Sequence, residues 1–360
     1  MNQKKVKSKV FYIPAAREDG NEALAEKAEK IFLKTGLRSQ IEANSFVALK
    51  IHFGEKGNTG FIKPPWLVKI ISQIKSITSR VFLTDSNTLY VSQRSNSLDH
   101  LSMAREHGFT PEALGIPVII ADGLIGRDDD EIQVDLSRVK SAKIGSAILD
   151  SDVVVCLTHF TGHLLTGFGA AIKNLGMGCA SRAGKLEQHS DVHPWVNPKL
   201  CNSCGLCFDY CPSQAIVEKE DSAFIVEEKC IGCGECLVVC NHGAVRFNWD
   251  SDSGRVQEKM SEYAFSVWKH LKGKISFINF LIKVTKDCDC MSGNQKAAVD
   301  DIGILGSLDP VALDQASVDM VNKRSGKDVL RAGYDLDWSI QLSHGAKIGL
   351  GSRDYELIKL

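Results

Sequence analysis

The 360-residue chain reads as an α/β fold, with a mainly parallel sheet, helices on both faces and a small cysteine-rich insertion. Three observations predict this. Short apolar runs such as VFLTD and DVVVCLTH alternate with amphipathic stretches of helical period. The runs are apolar throughout rather than alternately polar, which suits strands buried on both sides. A tandem cysteine repeat then separates two blocks of the same alternation.

In chain order, VFYI (10–13) is the first strand. A helix follows with Leu24, Ala28, Ile31 and Phe32 on one face, ending near Gly36. SFVALKIHF is the second strand, and Pro64–Pro65 open a helix carrying Leu67, Ile70, Ile71, Ile74 and Ile77. Next come RVFLTD, a helix ending at Gly108, and the strands PVIIAD and DVVVCLTH. Beyond the repeat stand a helix near 261–271, the strands ISFINFLIKV and DIGILGS, and a helix opened by Asp309–Pro310. Residues 1–195 and 249–360 thus read as two parts of one α/β domain, with 196–248 inserted.

Charge narrows the partners. The 43 basic and 44 acidic residues nearly cancel, which argues against nucleic acid. The apolar part of MNQKKVKSKVFYIPAA is too short for a signal-peptide core, and ISFINFLIKV is too short to span a bilayer. The expectation is a cytoplasmic protein with no membrane contact, whose partner is a redox protein or a small-molecule substrate. Twelve cysteines in such a protein point to metal ligation or catalysis before disulfides.

Eight of them form a repeat. CNSCGLCFDYCPSQAI (201–216) recurs as CIGCGECLVVCNHGAV (230–245), offset by 29 residues, each copy spaced C-x2-C-x2-C-x3-C. That is the spacing of the bacterial two-cluster ferredoxin, whose fourth cysteine ligates the other cluster. The crossed rule assigns Cys201, Cys204, Cys207 and Cys240 to one [4Fe–4S] cluster. Cys230, Cys233, Cys236 and Cys211 then hold the second. Zinc knuckles rarely carry four evenly spaced thiolates in tandem. The insertion is accordingly a ferredoxin-like α+β module, with Asn241 standing where the first copy has Pro212.

In open α/β sheets ligands bind at the carboxyl ends of the strands. Here those ends read IHFGEKGN, LTDSN, IADG, THFTGH, VTKDCDC and GSLDP. They bring His52, Asp85, Asn87, Asp122, His159, Cys288 and Asp309 toward one edge, where a site competes with ordinary helix capping as the explanation.

The stretch THFTGHLLTGFGAAIKNLGMGC (158–179) fails both the dinucleotide and the P-loop patterns. His159 and His163 have helical zinc spacing, but Gly162 between them argues against a helix. What remains is a strand followed by a glycine-rich turn. The backbone of the turn around Gly167 and Gly169 could cradle an anion, with Lys173 and Asn174 beside it. Cys156 reads as a buried small hydrophobe, and Cys179 is open to either reading. Cys288 and Cys290, one residue apart, do not easily pair with each other but could offer thiolates to an additional metal or cofactor. Their flanking aspartates suit a metal-bound or resting thiol better than a nucleophile.

Together KIHFGEKGNTGFI, FLTDSNTLY, IADGLIG, THFTGHLLTGFGAAIKNLGMG, GKLEQHS, KDCDC and DIGILGSLDPVALDQAS resemble the iron–sulfur-centre family known as domain of unknown function 362. The resemblance runs from about residue 8 to the C-terminal GLGSRDYELIKL. It implies iron–sulfur cofactors and little about mechanism. A fainter resemblance links His159-x3-His163 and GFGAAIKN to lactate racemase-like enzymes, implying Lys173 as the anchor of a nickel-pincer nucleotide. The flanking residues depart from that pattern.

The leading expectation is therefore an iron–sulfur oxidoreductase. Two [4Fe–4S] clusters would relay electrons to or from a substrate or cofactor at the strand ends, with His52, His159, His163 and Lys173 as catalytic candidates. Asp85, Asn87, Asp122, Gly167, Gly169 and Asn174 are the cofactor-binding candidates; the identity of a flavin, nucleotide or further metal is left open. His189 and His193 stand at the junction with the insertion, as part of the electron path or as ordinary linker histidines. The rival expectation is a non-enzymatic electron carrier or assembly protein.

Overall fold

Eight apolar segments pair into one sheet because their β-branched and aromatic side chains can be buried on both of its faces. The computed structural model describes residues 7–90, 92–189, 193–230, 234–246 and 252–360. The strands are β1 (Ser8–Pro14), β2 (Val47–Lys50), β3 (Val81–Asp85), β4 (Val118–Ile120), β5 (Val153–His159), β6 (Ile275–Leu281), β7 (Gly303–Ser307) and β8 (Tyr355–Lys359). Their order across the sheet is β8-β1-β7-β6-β5-β2-β3-β4. The block from β6 to β4 is parallel throughout.

Strand β5 shows the two-sided burial directly. Val154 and Cys156 enter one hydrophobic core, while Val153, Val155 and Leu157 enter the other. Each such side chain contributes about 1.5–3 kcal/mol when fully buried, so both faces need a cover of helices. One face is covered by α1 (Gly20–Thr35) and α2 (Val68–Lys75), and α3 (Ser97–Glu106) adds Ala104 to the same core. The other is covered by α4 (Ala171–Cys179), α6 (Ser253–His270), α7 (Pro310–Ser325) and α8 (Ile340–Lys347), while α5 (Arg182–His189) packs against α6. Helices α4 and α6 approach so closely that a Cβ at Gly176 would strike the Met260 carbonyl.

Strand β7 departs from the parallel expectation. It runs antiparallel to both β6 and β1. Its carboxyl end therefore lies at the opposite edge of the sheet, and Asp309 goes there instead of joining the strand-end site. The Asp309 carboxylate caps α7 through the Ala312 N–H (2.9 Å) and accepts from Ser8 Oγ (2.6 Å) and the Ser352 N–H (2.8 Å). The capping explanation holds for this residue.

Two hairpins have no counterpart in the sequence reading: Asp129–Gln133 with Ser141–Gly145, and Thr161–His163 with Gly167–Gly169. The second is only three residues long on each side and too rich in glycine to signal a strand. Gly162 is required there, because a Cβ would strike the Lys286 carbonyl.

Around the cysteine repeat Trp195–Val196 pairs antiparallel with Val245–Arg246, and within it Ile216–Lys219 forms a hairpin with Ser222–Ile225. The repeat is also a repeat in three dimensions. Gly205 and Gly234 both take left-handed backbone (φ +80° and +76°), each just before a short helix. The Ala215 and Ala244 N–H groups donate to Cys211 Sγ and Cys240 Sγ at 3.2 Å in both copies. Among the described residues no helix is long and apolar enough to cross a membrane.

Candidate functional site

The carboxyl ends of β2, β3, β5 and β6 open into a cavity of about 420 Å³. Lys50, the last residue of β2, is its buried centre. Its Nζ donates to Asp85 Oδ1 (2.9 Å) and Asn174 Oδ1 (2.7 Å). Asn174 is oriented in turn by donating its amide hydrogens to the Leu157 carbonyl (3.0 Å) and Thr158 Oγ1 (2.9 Å). Gly178 leaves room for this junction, since a Cβ there would come within 2.7 Å of Lys50 Nζ. Burial alone would raise the Asp85 carboxyl, but the cationic Lys50 and Arg94 hold it below the usual carboxylate range.

Arg94, only 2 % exposed, donates to Glu55 Oε2 (3.2 Å) and Tyr90 Oη (3.0 Å). At the end of β5 both ring nitrogens of His159 face acceptors: Asp289 Oδ2 at 2.8 Å from Nδ1, and the Ile282 carbonyl at 2.9 Å from Nε2. Both must then carry hydrogen, so His159 is an imidazolium. Burial opposes this, and Asp289 outweighs it, raising the ring above its ordinary value.

The other cationic groups behave differently. Burial pulls Lys173 down to about 8, with Arg94 adding to the effect. Burial pulls Lys185 down to about 8 as well, against the pull of Asp122. His52 and His163 are pushed well below the ordinary imidazole range by burial, helped by Arg94 and Lys173 respectively, and are neutral. Lys50 with Asp85, Arg94 with Glu55 and His159 with Asp289 are matched ion pairs. Lys173 and Lys185 have no such partner among the described residues, which leaves the cavity suited to an anionic ligand. Two lysines near 8 also offer proton donors and acceptors near neutral pH.

A second, smaller cleft is lined by Cys201, Cys204, Cys207 and Cys240, with Val196, Phe208 and Val245 around them. The fourth cysteine thus comes from the other copy of the repeat. Cys211, Cys230 and Cys236 pack in the same small core, and Cys233 lies outside the described residues. This second group touches the α/β domain. Leu237 packs against Leu89 and Leu186, and a Cβ at Gly234 would lie 3.0 Å from the Leu186 side chain.

Residues 47–319 match the family described as "Domain of unknown function (DUF362)". The protein belongs to that family. A subunit of tetrathionate reductase from Salmonella typhimurium is 36 % identical over 70 residues, 19 % of this chain and 28 % of that one. A component chain of the anaerobic dimethyl sulfoxide reductase of Escherichia coli is 36 % identical over 63 residues, 17 % of this chain and 31 % of that one. The match therefore spans less than a third of either relative. Among solved structures, a lactate racemase apoprotein from Thermoanaerobacterium thermosaccharolyticum aligns with 86 % of this chain and 56 % of its own. The TM-score is 0.41 and the identity 10 %.

In this DUF362 protein the cavity gathers His52, Asp85, His159, His163, Gly169, Lys173, Asn174, Cys288 and Cys290. Three candidates stand elsewhere. Asn87 and Asp122 lie behind the wall, where the Asn87 amide donates to Asp122 Oδ1 (2.9 Å). Burial raises Asp122 to about 6, and it faces Lys185 from there. Gly167 supplies the left-handed turn of the short hairpin, φ +75°, against Trp338.

The glycine-rich turn is not an open anion cradle either. The Ala171 and Ile172 N–H groups that open α4 donate, at 2.9 Å each, to the carboxylate of Asp314 from α7. The anion is the protein's own. Cys288 and Cys290, expected as separate thiols, are joined in a disulfide. Cys156 and Cys179 are fully buried, and burial pushes the Cys179 thiol up to about 11.

Sequence reasoning missed Lys50, Arg94, Lys185 and Asp289. A lysine inside an otherwise apolar strand was the available signal for Lys50. His189 also lines the cavity, and its Nδ1 lies 2.8 Å from the Lys185 carbonyl.

Proposed function

We propose that this DUF362 protein is an iron–sulfur oxidoreductase whose ferredoxin-like segment exchanges single electrons with the strand-end cavity. The supporting observation is the cleft in which Cys201, Cys204, Cys207 and Cys240 converge from two copies of a repeat. Four thiolates in an apolar pocket, with backbone N–H groups directed at sulfur, suit a [4Fe–4S] cluster. Cys211, Cys230, Cys233 and Cys236 would hold the second. Such clusters supply one-electron transfer. The protein's own residues would do the rest: Lys173 and Lys185 hold an anionic substrate or cofactor, Lys50 and Asp85 fix the floor, and Lys173, near 8, handles a proton.

Iron and acid-labile sulfide counts on anaerobically purified protein, followed by EPR after reduction, test this reading. About eight irons per chain are expected. Four or fewer, with zinc in the remaining sites, would overturn it.

The relatives favour a second reading, because two of them are named as one component of a larger reductase. In that reading the protein passes electrons to a partner and turns over no small molecule. Rapid electron exchange with a protein acceptor, without consumption of any anionic substrate, would distinguish it.

A further inference from the structure

We propose that the Cys288–Cys290 disulfide is redox-active and is the two-electron acceptor of the cavity, with His163 as hydrogen-bond donor to its sulfur. The inference rests on the cluster reading and adds the group that the electrons reach.

Five observations carry it. Both cysteines line the cavity, although Cys288 is only 5 % exposed. The bond closes a loop with one residue between the cysteines, which removes less unfolded-chain entropy than the long loops of stabilising disulfides. A structural staple therefore explains it poorly.

A ring nitrogen of His163 and the two sulfurs all lie within 4.8 Å of one another. His163 Nδ1 accepts from the Thr166 N–H (3.2 Å) and the Leu165 N–H (3.3 Å), so the hydrogen of the neutral ring sits on Nε2. A nitrogen that already carries hydrogen is a donor to sulfur rather than a metal ligand. The Cys290 N–H lies 3.2 Å from Cys288 Sγ, placed to stabilise a thiolate there.

Finally, packing is continuous from the second cysteine group to this bond. Leu237, next to Cys236, touches Leu89. Leu89 and its neighbour Tyr90 line the cavity, and Tyr90 Oη donates to the Cys290 carbonyl at 3.3 Å.

The reaction balances as one disulfide plus two electrons and two protons giving two thiols. The electrons arrive singly from a low-potential one-electron donor, the class that the cysteine quartets would hold. Both protons come from solvent, while the neutral His163 ring keeps its Nε2 hydrogen and donates a hydrogen bond to the sulfur.

The test uses the anaerobically purified full-length protein, with EPR reporting the clusters and alkylation with peptide mass spectrometry reporting the thiols. Before reduction, Cys288 and Cys290 should resist alkylation. After photoreduction with a deazaflavin, both should be alkylated, with two more electrons consumed per chain than the clusters take up. His163→Phe, which removes the hydrogen-bond donor, should slow this step roughly 10-fold while leaving the EPR signal unchanged. Three results overturn the proposal: both thiols alkylated before reduction, both protected after the clusters are fully reduced, or a stoichiometric soft metal whose chelation exposes them. A protein without iron fails in the EPR arm instead, so failure of the cluster reading is seen separately.

Discussion

His159 and Asp289 form a buried ion pair, 2.8 Å from Nδ1 to Oδ2, that ties the Cys288–Cys290 turn to the end of β5. Because Asp289 stands between the two cysteines, its side chain turns away from the disulfide and anchors the loop that carries it. The pair has a defined pH window. Asp289 is held below its ordinary value, against its burial, chiefly by His159. Its stabilisation is present above about pH 4 and is lost as pH falls through the lowered value. His159 is raised, so its stabilisation is complete below about pH 6.5 and is lost as pH rises through the raised value. Asp289→Asn should therefore cost about 3 kcal/mol at pH 5.5 and much less well above the raised His159 value. Denaturant midpoints at the two pH values check this, and an equal loss at both would remove the ion pair as the cause.

Like Lys63, which burial also brings to about 8, Lys173 and Lys185 should be acylated more readily near pH 8 than surface lysines. Burial brings both to about 8, so half of each is neutral at that pH, whereas a surface lysine is almost wholly protonated. Competitive labelling across pH, read by peptide mass spectrometry, should give midpoints near 8 for these two. The folded value lies below the unfolded one, so stability should rise with pH between about 8 and 10.5. An anion held in the cavity, with inorganic phosphate as the probe, should move both midpoints upward.

Asp314 is a carboxylate serving a helix N-terminus in the core. Burial raises it to about 7, against the N–H groups of Ile172 and Ala171 and the Asn279 amide. A raised acid binds its proton in the folded state first, so stability should fall as pH rises from about 4 to 7. Asp314→Asn should abolish that slope in thermal melts. It should also cost about 1–3 kcal/mol, because an amide cannot accept from both N–H groups.

Gly176→Ala should destabilise the protein by about 1–3 kcal/mol, since the added methyl meets the Met260 carbonyl across the α4–α6 contact. Gly205→Ala adds a methyl with nothing within 4 Å, so its cost comes from the left-handed backbone alone and should be about 1 kcal/mol. Comparing the two denaturant midpoints separates close packing from backbone strain.

The sequence by itself determined the local features. Cysteine spacing is a local property of the chain, and the eight-cysteine repeat was therefore legible without coordinates. Apolar runs such as VVVCL reveal strands because burial on both faces favours an apolar side chain at every position. The polar residues at strand ends were legible too, which is why His52, Asp85, His159 and Cys288 were all found at one edge. Only the tertiary structure decided the features that depend on contact between distant residues. The direction of β7 moved Asp309 to the far edge. Lys50 meets Asn174 across 124 residues of chain, and Asp314 fills the α4 N-terminus across 143. The pairing of Cys288 with Cys290 depended on a turn held by His159. Spacing along a chain encodes local geometry, whereas the juxtaposition of charges in a cavity is fixed by the packing of whole strands and helices.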